Sequence, residues 1–504
     1  MALVASSIRG GLNQFLVAAA VADVNRNFAA ASLERNRCGK RIGVLRFLVR
    51  IFLIGGASLL CAIVAPAASQ AQINYESGAD TVFAHSETLP WWLSAQGNYI
   101  FQWHPRFGAK YSGPNSFEHA SEQALSEVTT LYTGLELDPT IEEVADFESA
   151  GGSGLSHTLG LAGFTNVDSV RSPSLGAEPY IARLWFRKVI SLSDDTFQVE
   201  RGPLSILTTL PVRRLDIHLG KFDLADFFDL NSVANNSHTQ FMNWTVVNNG
   251  AYDYAADTRG YTYGGVIDYE DRRWGVRFAE TLVSRRANGL NVQKNLQDAH
   301  SENYELEGRP RLIENRSTVV RLLAFTNFAN MGDYHQAIDL FIDGKTRVPD
   351  ITDHPRQTKL KYGFGVNAEQ EFTDYLRGFI RAGWNEGQHE SFNYTEVNLT
   401  VAFGGDLRGS LWNRGEDKFG VAFVGNGISR RHQQYLALGG LGFLLGDGAL
   451  TYGPEKIMEC YYNFPIPVHA GFFGALDLQY IDNPGYNRDR GPVIVPGMRL
   501  HVEL

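Results

Sequence analysis

The feature that most constrains the fold of this chain is an alternation of apolar and polar residues with a period of two. One face of each alternating stretch is apolar and aromatic, whereas the other face carries charged, amide and glycine residues. Each stretch is about ten residues long, which is the length that a tilted strand needs to cross a bilayer. The pattern therefore predicts an all-β protein. Clear examples lie at 93–104, 261–270, 274–279, 361–369, 376–385, 395–403, 476–480 and 498–504.

A soluble β-sandwich would show the same alternation, because its apolar faces pack together in a core. The alternation here recurs far beyond the length of one sandwich module of about 100 residues. Aromatic residues also lie at the ends of the predicted strands, where a membrane interface accommodates them. Because backbone groups in lipid must be paired within the protein, spanning strands have to close into a barrel. We predict a transmembrane antiparallel β-barrel with interfacial aromatic residues at Trp91, Trp92, Trp103, Tyr269, Trp274 and Trp384.

The length of the chain sets the size of this barrel. At about 25 residues per strand with its turn or loop, the chain without its leader provides roughly 16 to 18 strands, the range in which barrels enclose an aqueous channel. Long polar connections at 288–306 and 343–355 are expected to be extracellular loops. We expect one or more loops, either of these or part of 138–177, to fold into the pore and narrow it.

The N-terminal part of the sequence indicates export. Three arginines precede an apolar run of fourteen residues at 51–64, and small residues follow it. A positive flank, a short apolar core and small residues at a candidate cut are the parts of a secretory signal, whereas fourteen residues are short for a membrane anchor. We predict an N-terminal extension with a signal peptide over 1–71 that is cleaved after Ala71, a short segment over 72–90, and a barrel over 91–504.

Composition excludes several classes of protein. The formal charge is -10, and it becomes -16 without the leader, so the chain would repel nucleic acid. A mean hydropathy of -0.19 argues against a polytopic helical membrane protein. Cys460 is the single cysteine beyond residue 71, which leaves no internal disulfide for the exported chain. The sequence contains no H-E-x-x-H, G-x-S-x-G or phosphate-binding-loop motif, and we predict no catalytic residue, metal site or cofactor.

Longer motifs carry more information than the alternation. The segments Arg214–Asn231, Gln240–Trp244 and Asn483–Val493 resemble the OprB family of carbohydrate-selective porins of gram-negative outer membranes. The resemblance extends over about 91–504 and implies a 16-stranded barrel through which glucose and similar sugars diffuse into the periplasm. It implies mono- and oligosaccharides and outer-membrane lipid as partners, and it leaves a homotrimer and a monomer open. Further similar segments are 111–116, 130–134, 152–164, 180–183, 257–261, 330–334 and 446–455.

A sugar pore needs polar side chains that replace hydration hydrogen bonds without holding the solute too tightly. The polar faces of the predicted strands supply such side chains. A slip of one residue would turn them toward lipid, at about 2–4 kcal/mol for an arginine at mid-membrane. The residues expected to line the pore and contact sugar are Asn98, Arg277, Glu369, Arg377, Arg381, Glu396, Asn398, Asp477 and Gln479, with Arg106 and Arg183 from the family-like segments.

Two other functions stay open at this level. An outer-membrane barrel for polysaccharide export would have a similar strand pattern, and neighbouring genes for polymer synthesis would favour it. A barrel enzyme acting on lipids would need a Ser–His or similar pair at the lipid-facing rim, and we find no such pair in the sequence.

Overall fold

The computed structural model describes residues 81–504 except 87, 172–174 and 354–356. The predicted leader over 1–71, its cut after Ala71 and most of the predicted 72–90 segment lie outside the described residues. Within the described part, sixteen strands close into one antiparallel barrel, which confirms the predicted fold class. No helix among the described residues is both long enough and apolar enough to cross a membrane.

The barrel follows the order of the chain almost throughout. In that order the strands are β1 (Trp91–His104), β2 (Glu122–Asp138), β3 (Ile141–Gly152), β4 (Tyr180–Ser191), β5 (Thr196–Gln198), β6 (Thr209–Pro211), β7 (Arg214–Phe222), β8 (Thr262–Glu270), β9 (Trp274–Thr281), β10 (His300–Gly308), β11 (Thr318–Asn330), β12 (Thr358–Glu371), β13 (Leu376–Asn385), β14 (Leu399–Arg408), β15 (Lys418–Gly427), β16 (Glu455–Pro465), β17 (Phe472–Asp482) and β18 (Val493–Glu503). β4 pairs directly with β7, and β18 closes the barrel on β1. β5 and β6 form a separate two-stranded sheet.

Helices play a small part. The described α-helices are α1 (Trp244–Val247), α2 (Tyr334–Ile342) and α3 (Arg430–Ala437), and all three lie in connections between barrel strands. The Asp333 side chain caps α2 by accepting from the amides of His335 and Gln336. The Ser429 hydroxyl caps α3 by accepting from the amide of His432. These caps satisfy amide groups that the first turn of a helix leaves without partners.

The alternation of the sequence becomes the two faces of the barrel wall. In β1, the side chains of Leu93 and Trp103 point outward and are 52% and 39% exposed, whereas Asn98 and Gln102 point inward and are buried. The apolar face is therefore the outer surface, as a lipid-facing wall requires, and the polar face is the inner one. Trp92 was expected in the aromatic girdle, and this prediction is wrong. It lies on the inner face of β1 and its indole donates to the Ser94 hydroxyl at 2.7 Å.

Short and long connections alternate around the barrel. One end carries the short turns 139–140, 271–273 and 372–375, together with the start of β1 and the end of β18. In outer-membrane barrels short turns are periplasmic and long loops are extracellular. The predicted loop over 288–306 is wrong in its second half, because β10 begins at His300. The predicted range 138–177 contains β3, and only its later part folds inward as a loop.

The long loops fill much of the barrel and share a core with its wall. Trp244 of one loop stacks on Tyr394 of another, with ring centroids 5.5 Å apart and planes at 5°. Phe164 of a third loop packs on Trp244 at 5.5 Å. All three side chains are buried. Stacked aromatic pairs in a desolvated setting hold the loops together within the barrel.

Candidate functional site

The connection between β7 and β8, residues 223–261, crosses the lumen, and we call it the crossing loop. β15 and β16 stand opposite β7 and β8 in the ring of strands. The crossing loop reaches that wall, where the amide of Met242 donates to Glu459 of β16 at 2.5 Å. Its Asn243 side chain donates to Gln479 of β17 at 3.0 Å, and its Ser237 carbonyl accepts from Arg499 of β18 at 2.7 Å. The crossing loop therefore divides the lumen.

Charged groups on the inner wall hold the crossing loop by its backbone. Glu369 of β12 accepts from the amide of Ser232 at 2.7 Å, and Glu305 of β10 accepts from the amide of Asp229 at 2.8 Å. On β13, the Arg381 guanidinium donates to the carbonyls of Ala234 and Val246 at 2.7 and 2.6 Å. Hydrogen bonds to charged groups contribute about 1.5–3 kcal/mol each.

A row of buried ion pairs runs along the inner wall, and we call it the ion-pair belt. Arg277 of β9 contacts four carboxylates at 2.7–3.1 Å. Arg321 of β11 connects Glu307 and Glu369 at 2.9 and 2.8 Å. Because the partners come from neighbouring strands, the belt ties the strands together. Its members are Glu142, Arg187, Asp216, Asp268, Arg277, Glu270, Glu305, Glu307, Arg321, Glu369, Arg377 and Asp406.

Most of the predicted pore residues do face the interior, but they contact protein. Arg377 forms a two-pronged pair with Asp406 of the next strand, at 3.0 and 2.5 Å. The side-chain amide of Gln479 donates to the Thr165 carbonyl and to the Asp477 carboxylate, at 2.8 and 3.1 Å. The predicted residues on inward faces of strands are Asn98, Arg183, Arg277, Glu369, Arg377, Arg381, Asp477 and Gln479.

Three of the predicted residues lie in loops. The strand predicted from residue 395 begins only at Leu399, so the placement of Glu396 and Asn398 on a strand is wrong. Both side chains are buried in the connection between β13 and β14. There the side-chain amide of Asn398 donates to the side-chain oxygen of Asn385 at 2.7 Å. Arg106 is exposed in the connection between β1 and β2.

Glu396 fixes one long loop to another. Its carboxylate accepts from the amides of Leu444 and Leu445 at 3.1 and 2.7 Å, and these residues belong to the connection between β15 and β16. Burial raises the pKa of the Glu396 carboxyl to about 7, while the two amide donors act in the opposite direction. Ionising this buried group is therefore costly near neutral pH.

The pH response of this contact can be tested by replacing Glu396 with glutamine. A carboxyl whose pKa is raised in the folded state makes its full contribution to the free energy of unfolding below its ordinary pKa of 4.5. That contribution is lost as the pH rises through about 7. We expect the free energy of unfolding of the native chain, measured with urea in lipid vesicles, to fall between pH 5 and pH 8. In Glu396→Gln the fall should be smaller. Equal falls in the two proteins would contradict this assignment.

The part of the lumen that stays accessible lies on one side of the barrel. The inward side chains of β9–β13 are almost all buried, whereas several on β2–β4 and on the loops facing them are only half-buried. We call these accessible residues the lumen-facing cluster. It consists of Tyr132, Glu148, Asp168, Arg183, Asp226 and residues 235–238 of the crossing loop.

The lumen-facing cluster combines charged and aromatic groups. The Arg183 guanidinium donates in a fork to Asp226 of the crossing loop, at 2.8 and 2.6 Å, and its side chain is 13% exposed. The carboxylate of Glu148 accepts from the hydroxyls of Tyr180 and Tyr261, the latter at 3.0 Å. The guanidinium of Arg183 also lies 5.4 Å from the centre of the Tyr261 ring. Such groups can offer hydrogen bonds to hydroxyls and a flat apolar face to C–H groups.

Sequence patterns did not identify most of this cluster. Arg183 was predicted, whereas Glu148, Asp168, Asp226 and the tip of the crossing loop were not. Asp226 and residues 235–238 lie where the alternation stops for about forty residues between two strands, and that interruption is the signal that could have located the crossing loop. Among the described residues, no group of three or more His, Cys, Asp or Glu side chains could hold a metal ion.

A solved structure shares this architecture. The high-pH structure of Pseudomonas putida OprB is similar to this chain with a TM-score of 0.62 and 14% identity, over 82% of this chain and 94% of that chain. The low-pH structure of Pseudomonas putida OprB has a TM-score of 0.45 and 11% identity, over 82% of this chain and 93% of that chain. The outer membrane channel DcaP of Acinetobacter baumannii has a TM-score of 0.42 and 9% identity, over 82% of this chain and 97% of that chain. No match was found among the curated proteins.

The sequence comparison identifies the family. The family model described as "Carbohydrate-selective porin, OprB family" matches residues 128–504, which is well over half of the chain. The matched region includes all barrel strands from β3 to β18, the crossing loop and the whole lumen-facing cluster. The chain therefore belongs to the OprB family of carbohydrate-selective porins of the gram-negative outer membrane.

Proposed function

We propose that sugars cross this porin along the wall formed by β2–β4, past the lumen-facing cluster. The observation that supports this path is the distribution of burial, because the crossing loop fills the opposite side of the lumen. The polar groups of the cluster are held in place by their protein partners. Fixed donors and acceptors can exchange hydrogen bonds with a solute without rearranging.

The chemistry of the cluster suits neutral mono- and oligosaccharides. The Arg183–Asp226 fork and the Glu148 carboxylate offer donors and acceptors for hydroxyl groups. The rings of Tyr132 and Tyr180 are half-buried nearby and provide surfaces for the C–H faces of a pyranose. Because Arg183 already has a carboxylate partner, each contact with sugar is an exchange of bonds and is weak enough to release the solute.

The proposed setting follows from the outer surface and from the topology. The outward apolar side chains, among them Leu131, Ile380 and Leu476 at 43–55% exposure, are proposed to contact outer-membrane lipid. All sixteen strands of the closed barrel come from one chain, so one monomer supplies a complete pore and a homotrimer would contain three. Export by the leader over 1–71 is proposed from the sequence alone. We propose a passive channel without catalytic activity.

Liposome swelling tests the proposed function directly. Proteoliposomes that contain the refolded chain should swell in isotonic glucose and maltose, and planar bilayers should show a conductance that glucose lowers. An equally sized solute without hydroxyl groups in the pyranose arrangement serves as the comparison for selectivity. Absence of conductance, or a conductance that sugars leave unchanged, would refute the sugar-porin proposal. Export of a polysaccharide would instead appear as passage of a long polymer without swelling in glucose.

A further inference from the structure

A carboxylate and a histidine meet at the tip of the crossing loop, beside the accessible part of the lumen. Asp168 comes from the loop between β3 and β4, and His238 comes from the crossing loop. The His238 Nε2 lies 3.5 Å from an Asp168 carboxylate oxygen. The two side chains thus join the two inward loops at a point where the chain is only half-buried. We call them the Asp168–His238 pair.

The surroundings of Asp168 favour its ionised form. Its carboxylate accepts from the side-chain amide of Asn98 at 2.5 Å and from the Ser237 hydroxyl at 3.4 Å. Burial opposes ionisation, but His238, Asn98 and Arg499 outweigh it and lower the pKa of Asp168. Asp168 therefore carries a negative charge beside the path of the solute.

His238 separates that charge from the lumen. Its side chain is 23% exposed, compared with 6% for Asp168. One face of its ring stacks on His501 of β18, with centroids 5.3 Å apart and planes at 25°. The remaining accessible surface faces the lumen, because the ring lies inside the barrel next to the exposed Asn236.

The other charged groups around His238 are engaged with protein. His501 lies 3.0 Å from Glu503, whose side chain is 32% exposed. The Arg499 guanidinium is buried and donates to the carbonyls of Ser237 and Gln240 and to the side chain of Asn463. The titratable and charged groups that face His238 are therefore Asp168, His501, Glu503 and Arg499.

We propose that the Asp168–His238 pair sets the charge selectivity of the pore and disfavours sugar acids relative to neutral sugars. The inference rests on the proposed sugar path. The negative charge of Asp168 repels a carboxylate on the solute, while neutral hydroxyls can still bond to the imidazole of His238.

Uptake of labelled glucose and glucuronate into proteoliposomes tests this inference with the full chain. At pH 8, Asp168→Asn should raise the ratio of glucuronate to glucose uptake by about three- to tenfold, as expected for removing one charge at a distance of a few ångströms. Glucose uptake itself should change by less than about twofold, because asparagine keeps an acceptor oxygen for Asn98.

A second variant and a matched control keep the test independent of folding. His238→Lys adds a fixed cation at the same place and should also raise the ratio at pH 8. Asp339→Asn removes a carboxylate that lies 3.1 Å from His335 on α2, where both side chains are more than half exposed, and it should leave the ratio unchanged. If neither sugar enters with the native chain, the proposed function fails. If both sugars enter and neither Asp168→Asn nor His238→Lys changes the ratio, only the charge-selectivity inference is overturned.

Discussion

Replacing Arg381 with methionine should raise the single-channel conductance several-fold and weaken the block by sugars. The guanidinium is fully buried and holds the crossing loop through Asp229 at 3.1 Å and through the carbonyls of Ala234 and Val246. Methionine keeps much of the volume but removes every donor. Asp229 would then lose its cationic partner in a buried setting, which costs several kcal/mol. The crossing loop should leave the wall, because release into the lumen lets water solvate Asp229.

The measurement is conductance in planar bilayers, with glucose and maltose added to obtain the half-blocking concentration. Arg408→Met is the matched control, since Arg408 lies exposed at the end of β14. Heat-modified migration on gels verifies that the barrel of each variant is closed. A closed Arg381→Met barrel with native conductance and native sugar block would show that Arg381 does not position the crossing loop.

The strands could be predicted from the sequence because lipid imposes a simple demand on them. Each outward residue must be apolar and each backbone group must be paired, so the alternation is repeated in every strand. The ends of β1, β8, β9 and β13 all lie within two residues of their predicted limits. Trp92 lies in the inward phase of β1, where its indole donates to Ser94. The prediction placed both Trp91 and Trp92 in the girdle, although neighbouring residues of a strand face opposite sides.

The loops could not be predicted in the same way, because their positions depend on partners that are distant in sequence. The alternation correctly indicated that Arg277, Arg377 and Arg381 face inward, but it could not show what they would meet there. Arg381 is covered by residues about 150 positions earlier in the chain. Inward residues of an open porin would contact water, and here the crossing loop replaces that water along half of the wall.

The lumen-facing cluster could not be predicted either, because its members are distant in sequence. Arg183 was identified through a family-like segment, yet its partner Asp226 and the neighbouring Glu148 come from elements that the alternation leaves unrelated. Asp168 and His238 lie in two different loops. Their proximity results from both loops entering the barrel, and no periodicity along the chain records that event.

Replacing Arg277 with methionine should lower the free energy of unfolding by about 3–5 kcal/mol, because it leaves buried carboxylates without their shared cation. Arg277 is 6% exposed and contacts Asp268, Glu270, Glu305 and Glu307, which come from β8 and β10 on either side of β9. The remaining carboxylates would repel one another across three adjacent strands. Unfolding by urea in lipid vesicles, followed by tryptophan fluorescence, measures the change.

Two further variants separate the loss of the ion-pair belt from a general effect of removing an arginine. Arg316→Met removes a partner of Asp374, whose side chain is 89% exposed, and exposed pairs contribute less than about 1 kcal/mol. Adding Glu305→Gln to Arg277→Met removes one of the carboxylates that lost its partner, so the double variant should be more stable than the sum of the two single changes predicts. Strict additivity, or an Arg277→Met effect no larger than that of Arg316→Met, would mean that the belt does not stabilise the wall. Additivity would also assign the stability of the barrel mainly to its backbone pairing and to the loops packed inside it, with the charges serving only to shape the lumen.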